Sequence, residues 1–386
     1  MISVTDDERR RRLARRHLLA PSARIDSVPA IADALVALHS SDPVTVFLSV
    51  AARSTDLAVA DVEAALYDER TVIRHHAMRR TLWVTTIPVG EIAHAACTRK
   101  IAATERARST KFVGDPEWFD DAVRQVVDCV RTAPEPLSTR RSGELLPELR
   151  REIVYGEGTR HRATGSAHTR AALVAAFDGD VVRGRPAGTW IGSQYGWNDT
   201  RRWCRVDWST HTDADGGAAL VETWLRRFGP GTLDDLVWWT GTTKTFVRAA
   251  LAELEVTEVA TSSGDGYVMS DDITPVDDVE PWAAVLPGLD PTAMGWKHRA
   301  WYLDDTTRAR VTDRFGNIGP TIWCDGRIVG GWAQRPDGLI ASELSVDLST
   351  GQQRRIDREI DKMQRFVGEA RFKVRFPAPN QRDLLA

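Results

Sequence analysis

The chain has 386 residues, of which 42% are hydrophobic and 27% charged, and its formal net charge at pH 7 is −3. This length suits two or three domains, and the composition excludes a largely disordered protein. No apolar stretch reaches the roughly 20 residues that cross a bilayer, and the amino terminus lacks the pattern of a signal peptide, so we expect a cytoplasmic protein without a membrane anchor.

The amino-terminal part predicts four helices and a strand. Apolar residues recur there at helical spacing, and the first helix stops before a proline. The predicted helices cover residues 7–19, 28–38, 44–53 and 59–68, with Glu8 and the arginines of the first helix on its outer face. The segment 79–86, which contains Leu82, Trp83 and Val84, predicts a strand or wing. Helices followed by a short pair of strands are the pattern of a winged helix.

The segment Leu38-His39-Ser40-Ser41-Asp42-Pro43 joins two of these helices and is the most unusual polar stretch of the chain. Pro43 disfavours helix at Asp42. A His, a Ser and an Asp in such a corner either satisfy one another by hydrogen bonds or act on a ligand. The simpler interpretation is that Ser41 and Asp42 cap the next helix and that His39 packs beside them. Both interpretations are open from the sequence.

Two further units of the same kind follow. In the second, Ser142 is predicted to cap a helix, residues 171–177 to be buried, and residues 181–185 to form a hairpin with residues 190–192. In the third, Thr232 and Thr243 start two helices, and a wing forms around Gly264-Asp265-Gly266. The helices of this third unit are predicted over residues 220–228, 233–239 and 243–254, and its wing strands over residues 258–260 and 267–269.

The last hundred residues change character. Strand-like runs at 321–324, 327–329 and 344–347 flank glycine turns, and residues 350–366 predict a helix with one apolar face. The sequence therefore predicts an α+β fold of tandem winged-helix modules with a C-terminal mixed α/β module. The predicted modules cover residues 1–136, 137–210, 211–280 and 281–386.

Cysteine and histidine spacing predicts no metal site. The four cysteines lie far apart, as expected for ordinary reduced thiols. Two histidine pairs are the nearest approach to a ligand set, His75 with His76 and His161 with His168. Neither pair has carboxylate or cysteine partners at the spacing that zinc sites use.

Charge is distributed unevenly along the chain. Residues 70–170 hold 18 Lys and Arg against 12 Asp and Glu, a balance of +6, whereas residues 211–300 hold 6 against 15, a balance of −9. A basic face can bind phosphate although the whole chain is slightly acidic, because binding depends on the local potential. The alternative is that these arginines lie on solvated helix faces.

Several segments carry signatures that occur together in one family. The corner at His39 occupies the position of a short motif that is often Gln-x-Gln. Residues 224–241 are similar to a third winged helix, residues 286–290 with 299–302 to a later signature, and residues 316–321 with 325–332 to a carboxy-terminal pattern. With these segments, which span nearly the whole chain, the protein resembles the AlkZ- and YcaQ-like family of winged-helix DNA glycosylases.

This resemblance implies a monofunctional DNA glycosylase that excises alkylated purines from duplex DNA, acts as a monomer, and uses no metal or organic cofactor. It places His39 at the first glutamine of the motif and Ser41 at the second, with Asp42 directly after, and these three are the candidate catalytic residues. Ser41 is shorter than glutamine and reaches less far. A neutral imidazole can accept a proton from water, and a carboxylate can orient that water or offset positive charge on the sugar.

Five arginines are candidate phosphate contacts: Arg53, Arg79, Arg80, Arg183 and Arg185. Trp238 and Trp239 are predicted to be core residues rather than a base-stacking platform, because they lie within an apolar helical run. The alternative function is that of a non-catalytic winged-helix DNA-binding protein. The feature that distinguishes the two functions is whether His39 and Asp42 face the same open, basic groove.

Overall fold

The computed structural model describes residues 2–155, 158, 160, 162–375 and 377–386. Helices and strands both contribute, which confirms the predicted α+β class. The first part of the chain contains helices α1 (Asp6–Arg16), α2 (Val28–Ala34), α3 (Pro43–Arg53), α4 (Val59–Glu63), α5 (Ile87–Ala93) and α6 (Arg99–Val113), and strands β1 (Ile2–Ser3), β2 (Leu38–His39), β3 (Val72–His76) and β4 (Leu82–Thr86).

The second part contains α7 (Pro116–Thr132), α8 (Thr139–Leu145), α9 (Ala167–Asp178) and α10 (Thr200–Trp203), with strands β5 (Leu137–Ser138), β6 (Glu152–Tyr155), β7 (Ala163–Ser166), β8 (Val181–Pro186) and β9 (Tyr195–Asp199). The third part contains α11 (Asp213–Phe228), α12 (Leu233–Thr240) and α13 (Lys244–Ala252), with β10 (Gly231–Thr232), β11 (Val256–Thr261) and β12 (Gly264–Met269). The last part contains β13 (Ala283–Leu286), α14 (Asp305–Val311), β14 (Thr321–Cys324), β15 (Arg327–Gln334), β16 (Ile340–Leu344), α15 (Thr350–Val367) and α16 (Pro379–Leu384).

The first three parts share one order of elements: a helix, a short strand, two helices and two longer strands, with the β6–β7 hairpin inserted between the two helices of the second part. In each sheet the short strand pairs with the last strand, giving the orders β2-β4-β3, β5-β9-β8 and β1-β11-β12-β10. The last part has an antiparallel sheet in the order β13-β14-β15-β16, and β6 pairs with β7. The winged-helix name for the three units, and the module boundaries, stay predictions.

Buried side chains form two large cores. One core joins residues of the first, third and last parts, from Leu13 to Val367, and includes Trp190 of the second part. The other consists of residues of the second part together with Val113, at the end of α6. Helix α7 contributes Phe119 and Val126 to this second core and packs on α9.

Most predicted elements of the last two parts are present. Thr232 and Thr243 cap α12 and α13, and the predicted wing is the β11–β12 hairpin. Strand β14 has the predicted bounds, and α15 ends one residue later than predicted. Three local predictions are wrong: Ser138 rather than Ser142 caps α8, β8 pairs with residues 195–199, and the last strand covers residues 340–344.

Helix α1 is buried on the face predicted to be outside. Glu8, Arg9 and Arg12 are 6%, 3% and 2% exposed, respectively. Arg12 donates to the Glu8 carboxylate at 2.7 Å and to the backbone oxygens of Asp272 and Thr274. The charged face is buried because the segment that follows β12 supplies these acceptors, which the sequence of the helix alone does not reveal.

The position of α3 depends on a buried ion pair at its carboxyl end. The guanidinium of Arg53 binds both carboxylate oxygens of Asp290, at 2.9 and 2.8 Å, and both side chains are fully buried. Arg53 also donates to the backbone oxygen of His17 and to the hydroxyl of Thr292. The Asp290 carboxylate accepts a further bond from Ser49 at 2.7 Å. The ion pair thus joins α1, α3 and the loop after β13.

None of the helices formed by the described residues is both long and apolar enough to cross a bilayer.

We expect Arg53→Met to lower the free energy of unfolding by about 3–5 kcal/mol, because it leaves the Asp290 carboxylate buried without its counter-ion. Adding Asp290→Asn to the same chain should recover part of this loss, since no buried charge then remains. Urea unfolding measures both changes. Arg226→Met, which removes an exposed ion pair on α11, is the matched control and should change stability far less. A loss below about 1 kcal/mol for Arg53→Met would contradict the role given to this pair.

Candidate functional site

The polar corner is built by the end of β2 and the start of α3. Leu38 and His39 pair with Val84 and Trp83 of β4, and the amide of Ser40 donates to the Leu82 carbonyl at 2.8 Å. The chain then bends, and Pro43 occupies the first turn of α3, where its missing N–H costs nothing. The corner is therefore fixed on one side by a sheet and on the other by a buried helix.

Asp42 is the N-cap of α3. Its carboxylate accepts from the Val44 amide at 3.3 Å, and its other oxygen lies 3.5 Å from the Arg375 amide nitrogen. Burial raises the pKa of this carboxyl above its ordinary value, against the opposing effect of these amides and of the Arg375 and Arg74 charges. The capping interpretation is thus confirmed for Asp42. The described hydrogen bonds give no such role to the Ser41 hydroxyl.

His39 lies on the other side of the corner. Its ring packs edge-on against Trp83, with 4.9 Å between the ring centroids, and its Nδ1 is buried without a partner among the described residues. Burial, with a smaller contribution from the Arg79 charge, lowers the pKa of His39 to about 3. The imidazole is therefore neutral at physiological pH, with one nitrogen able to donate and the other able to accept.

The sheet register separates the surroundings of His39 and Asp42. His39 lies opposite Trp83, whereas Arg74, a neighbour of Asp42, lies opposite Val84, the next residue of β4. Since successive residues of a strand point to opposite faces, His39 and Arg74 lie on opposite faces of this sheet. No hydrogen bond among the described residues joins His39 to Asp42. The charged neighbour of His39 is therefore Arg79, whereas those of Asp42 are Arg74 and Arg375.

On the His39 side, two arginines stack on one tryptophan. The guanidinium groups of Arg79 and Arg299 lie 4.4 and 4.9 Å from the ring of Trp238. Arg79 follows β3 in a tight turn and has φ of 55°, a left-handed conformation that is uncommon for arginine. Trp239 is buried as predicted, but Trp238 is half-buried and forms the support of this cationic pair.

On the Asp42 side lies a narrow, mostly apolar cleft of only about 20 Å³. Asp42 and Thr45 are its polar side chains; the Thr45 hydroxyl is occupied by a bond to the Gly288 carbonyl. The other lining residues are Val44, Leu48, Pro287, Gly288, Leu289, Ile318, Pro320, Trp332, Phe372 and Val374.

The five predicted phosphate contacts have different surroundings. Arg53 is fully buried on Asp290, which corrects the prediction that it contacts DNA. Arg80 is paired with Glu105 at 2.8 Å, and Arg185 with Glu63 and Asp68 at 3.1 and 2.9 Å. Arg79 and Arg183 have no carboxylate partner among the described residues and lie over aromatic rings, Arg183 at 3.8 Å from that of Tyr195.

Several neighbours of the corner were not singled out from the sequence: Tyr67, Arg74, Arg299 and Arg375. Arg74 could have been noticed, because a charged residue in the strand Val72–His76 is unusual in a segment otherwise suited to burial. The others depend on contacts between distant parts of the chain, which no local pattern reports.

The described residues contain no cluster of three or more His, Cys, Asp or Glu that could hold a metal ion. His75 and His76 are buried in β3 against Trp208 and Phe177, respectively. His168 bonds to the Ser142 hydroxyl at 2.9 Å. His161, the other histidine of that pair, lies outside the described residues.

We expect the His39 ring to stay neutral in the folded protein as the pH falls from about 7.5 to about 5, because its folded pKa is about 3. In the unfolded chain the same ring titrates near pH 6.5. Proton uptake thus favours unfolding, and the contribution of His39 to stability is full above about pH 6.5 and declines towards pH 3. NMR of the imidazole resonances, identified by their loss in His39→Gln, measures this. A midpoint above about pH 6 in the folded protein contradicts it.

The comparisons with known proteins agree with this architecture. A solved structure, Streptomyces sahachiroi DNA glycosylase AlkZ, shares the fold with a TM-score of 0.73 over 97% of this chain and 100% of that chain, at 17% sequence identity. No curated protein matches the chain. The family model described as DNA glycosylase AlkZ-like matches residues 32–366, which include the corner and most of both cores. The chain belongs to the AlkZ-like DNA glycosylase family.

Proposed function

We propose that this protein binds duplex DNA and hydrolyses the N-glycosidic bond of an alkylated purine nucleotide. The family assignment supports a DNA glycosylase. The observation that carries the proposal for this chain is the imidazole of His39, which is held neutral and makes no hydrogen bond to any described residue. Such a group can orient a water molecule, as the amide of a glutamine can.

The proposed reaction needs only water as its second reactant. The bond between the sugar C1′ and the purine nitrogen breaks, and its electron pair neutralises the cationic alkylated base, which leaves. The sugar acquires oxocarbenium character, water adds to C1′, and its proton passes to solvent. Because the alkylated base is already a good leaving group, no strong general acid is required.

His39 acts in this scheme as a hydrogen-bond acceptor rather than as a strong base. An imidazole whose pKa is about 3 holds a proton poorly at neutral pH. It can nevertheless fix the direction from which water approaches C1′. Ser41, two residues along the chain, is proposed to assist with its hydroxyl, which makes no described hydrogen bond.

Asp42 is proposed to have two separable roles. As N-cap, its side chain satisfies the Val44 amide. As an anion near the corner, it offsets the positive charge that develops on the sugar. Burial raises the pKa of this carboxyl, whereas the Val44 and Arg375 amides and the Arg375 and Arg74 charges favour its ionised form.

Of the predicted phosphate contacts, Arg79 and Arg183 are retained in the proposal. Both lack a carboxylate partner among the described residues, so a phosphate does not have to displace an existing ion pair. Arg80 and Arg185 are half-exposed and already paired, and a phosphate would compete with those partners. The monomeric state and the cytoplasmic location stay predictions.

A non-catalytic DNA-binding protein is the second candidate function. Two observations favour it: Asp42 is engaged as a helix cap, and it does not contact His39. In that case the corner would be a structural joint between β2 and α3, and the chain would bind DNA without releasing a base.

We expect the wild type to release the base from a duplex with one N7-methylguanine, His39→Ala to lose release by about 100-fold or more, and His39→Gln to retain most of it. The amide of glutamine can replace the neutral imidazole as donor and acceptor, whereas alanine cannot. Abasic sites counted after a workup without heating measure release. Duplex binding with no release by the wild type contradicts the proposal and supports the second candidate. Equal rates for His39→Ala and the wild type would remove His39 from the reaction.

Two substitutions separate the roles of Asp42. Asn caps helices as well as Asp does, so Asp42→Asn removes the charge and keeps the cap, whereas Asp42→Ala removes both. We expect both variants to lose base release, but only Asp42→Ala to lower the free energy of unfolding, by about 1 kcal/mol. Full release by Asp42→Asn would show that Asp42 acts as a cap alone.

A further inference from the structure

Arg74 is buried without the partner that a buried cation requires. It is 4% exposed, and its Nε and Nη2 atoms are buried with no hydrogen-bond acceptor among the described residues. Arg12 and Arg53 are as deeply buried, but each is paired with a carboxylate. Burying an unpaired guanidinium costs free energy, because it loses its hydration without gaining an ion pair. Arg74 therefore retains two donors that an anionic ligand could use.

Other unsatisfied donors lie nearby, because β3, which carries Arg74, packs against β8, which carries Arg183, and both strands contact residues 64–68, which include Tyr67. Arg183 has a buried Nε without a partner, and the charges of Arg74 and Arg375 act on it. The hydroxyl of Tyr67 is also buried without a partner, and the Arg74 charge acts on it too. Four unused donors on three residues are more than one carbonyl or hydroxyl oxygen could satisfy. A group with several acceptor oxygens fits them.

The local balance of charge is positive. The charges of Arg74 and Arg375 both act on Asp42 and on Tyr195, whose ring carries Arg183. Asp42 forms no ion pair within 4.0 Å in the part of the chain that the structure describes, so it does not neutralise these arginines directly. Two guanidinium charges therefore act on one carboxylate, and Arg183 adds a third positive charge beside Tyr195. Arg375 is exposed to solvent.

The cluster is assembled from three separate parts of the chain. Arg74 comes from β3, Arg183 from β8, and Arg375 from the segment between α15 and α16. The charges of Arg74 and Arg375 act on Asp42, at the amino end of α3, and Arg183 lies on β8, which packs against β3. An anion held there would lie on the Asp42 side of the corner.

We propose that Arg74, Arg183 and Arg375, with the Tyr67 hydroxyl, form a phosphate-binding site that holds a phosphodiester of the DNA backbone next to the reacting nucleotide. This inference rests on the proposed function for the identity of the phosphate. A phosphodiester carries one negative charge and two free oxygens, which can accept from the unused donors of Arg74 and Arg183. The site would thereby position the nucleotide at the corner.

Arg74→Met and Arg183→Met test the proposal, with Arg226→Met as control. Arg226 lies on α11, away from the proposed site, and is already paired with Glu222 and Asp271. Binding of an undamaged, labelled duplex is measured by anisotropy at several salt concentrations. We expect each test variant to weaken binding about tenfold or more and to reduce the slope of log K against log salt by about 0.9, and the control to change neither. Unchanged affinity and slope in both test variants would overturn the proposal.

Folding of the variants is checked by thermal unfolding. Because methionine replaces an unpaired buried cation with an apolar side chain of similar length, Arg74→Met should melt at the wild-type temperature or above it. If Arg74→Met does not fold, binding of the wild type to duplexes that carry one neutral methylphosphonate linkage tests the phosphate site without any variant. Weaker binding when that linkage flanks the N7-methylguanine supports the proposal. Equal binding at every linkage position overturns it.

A measurement with inorganic phosphate distinguishes a DNA phosphodiester from free phosphate as the ligand of the site. One outcome is that phosphate at matched ionic strength raises the melting temperature of the wild type but not that of Arg74→Met. If the two proteins then bind the duplex equally, the site binds free phosphate and the assignment to DNA is wrong. Base release by the wild type is assayed separately. If the wild type releases no base but the Arg74→Met and Arg183→Met variants have a smaller salt slope, the phosphate site is supported and the glycosylase function is wrong. If the wild type releases the base and both variants keep the wild-type slope, the glycosylase function is supported and the phosphate site is wrong.

Discussion

The buried ion pair between Arg53 and Asp290 is the contact on which the candidate site depends. It fixes the carboxyl end of α3 to α1 and to the loop after β13, and the amino end of the same helix begins at Asp42. A helix of eleven residues whose side chains are all buried transmits this constraint to its other end. The corner between His39 and Asp42 is thereby held by the main core, although His39, Ser41 and Asp42 are themselves only partly buried.

Charge is arranged at the corner in a way that the net charge of −3 hides. His39 has Arg79, Trp238 and Arg299 on its side, and Asp42 has Arg74, Arg183 and Arg375 on the other. Several other arginines are paired with carboxylates: Arg12 with Glu8 and Asp272, Arg16 with Asp272, and Arg170 with Glu105. Arg79 and Arg183 form no ion pair with a described carboxylate, so a phosphate would not have to displace one.

The sequence predicted the elements well where a local rule decides them, such as the threonine caps of α12 and α13, the wing at Gly264 and the apolar face of α15. It predicted the family because signatures occur along the whole chain. It failed where distant contacts decide: Arg53 was expected at the surface and is buried, because Asp290, 237 residues away, receives it. Glu8 and Arg12 were misplaced for the same reason. The Arg74 cluster needs three parts of the chain, so no single segment could have revealed it.

The most direct test of the account is the identity of the product under single-turnover conditions. Wild-type protein in excess over a duplex with one N7-methylguanine is followed by mass spectrometry of both the free base and the DNA strand. The account predicts one free methylguanine for each abasic strand, with one water added at C1′ and the DNA backbone intact. A bound duplex from which no base is ever released would contradict it, and would leave a DNA-binding protein whose corner is only a structural joint.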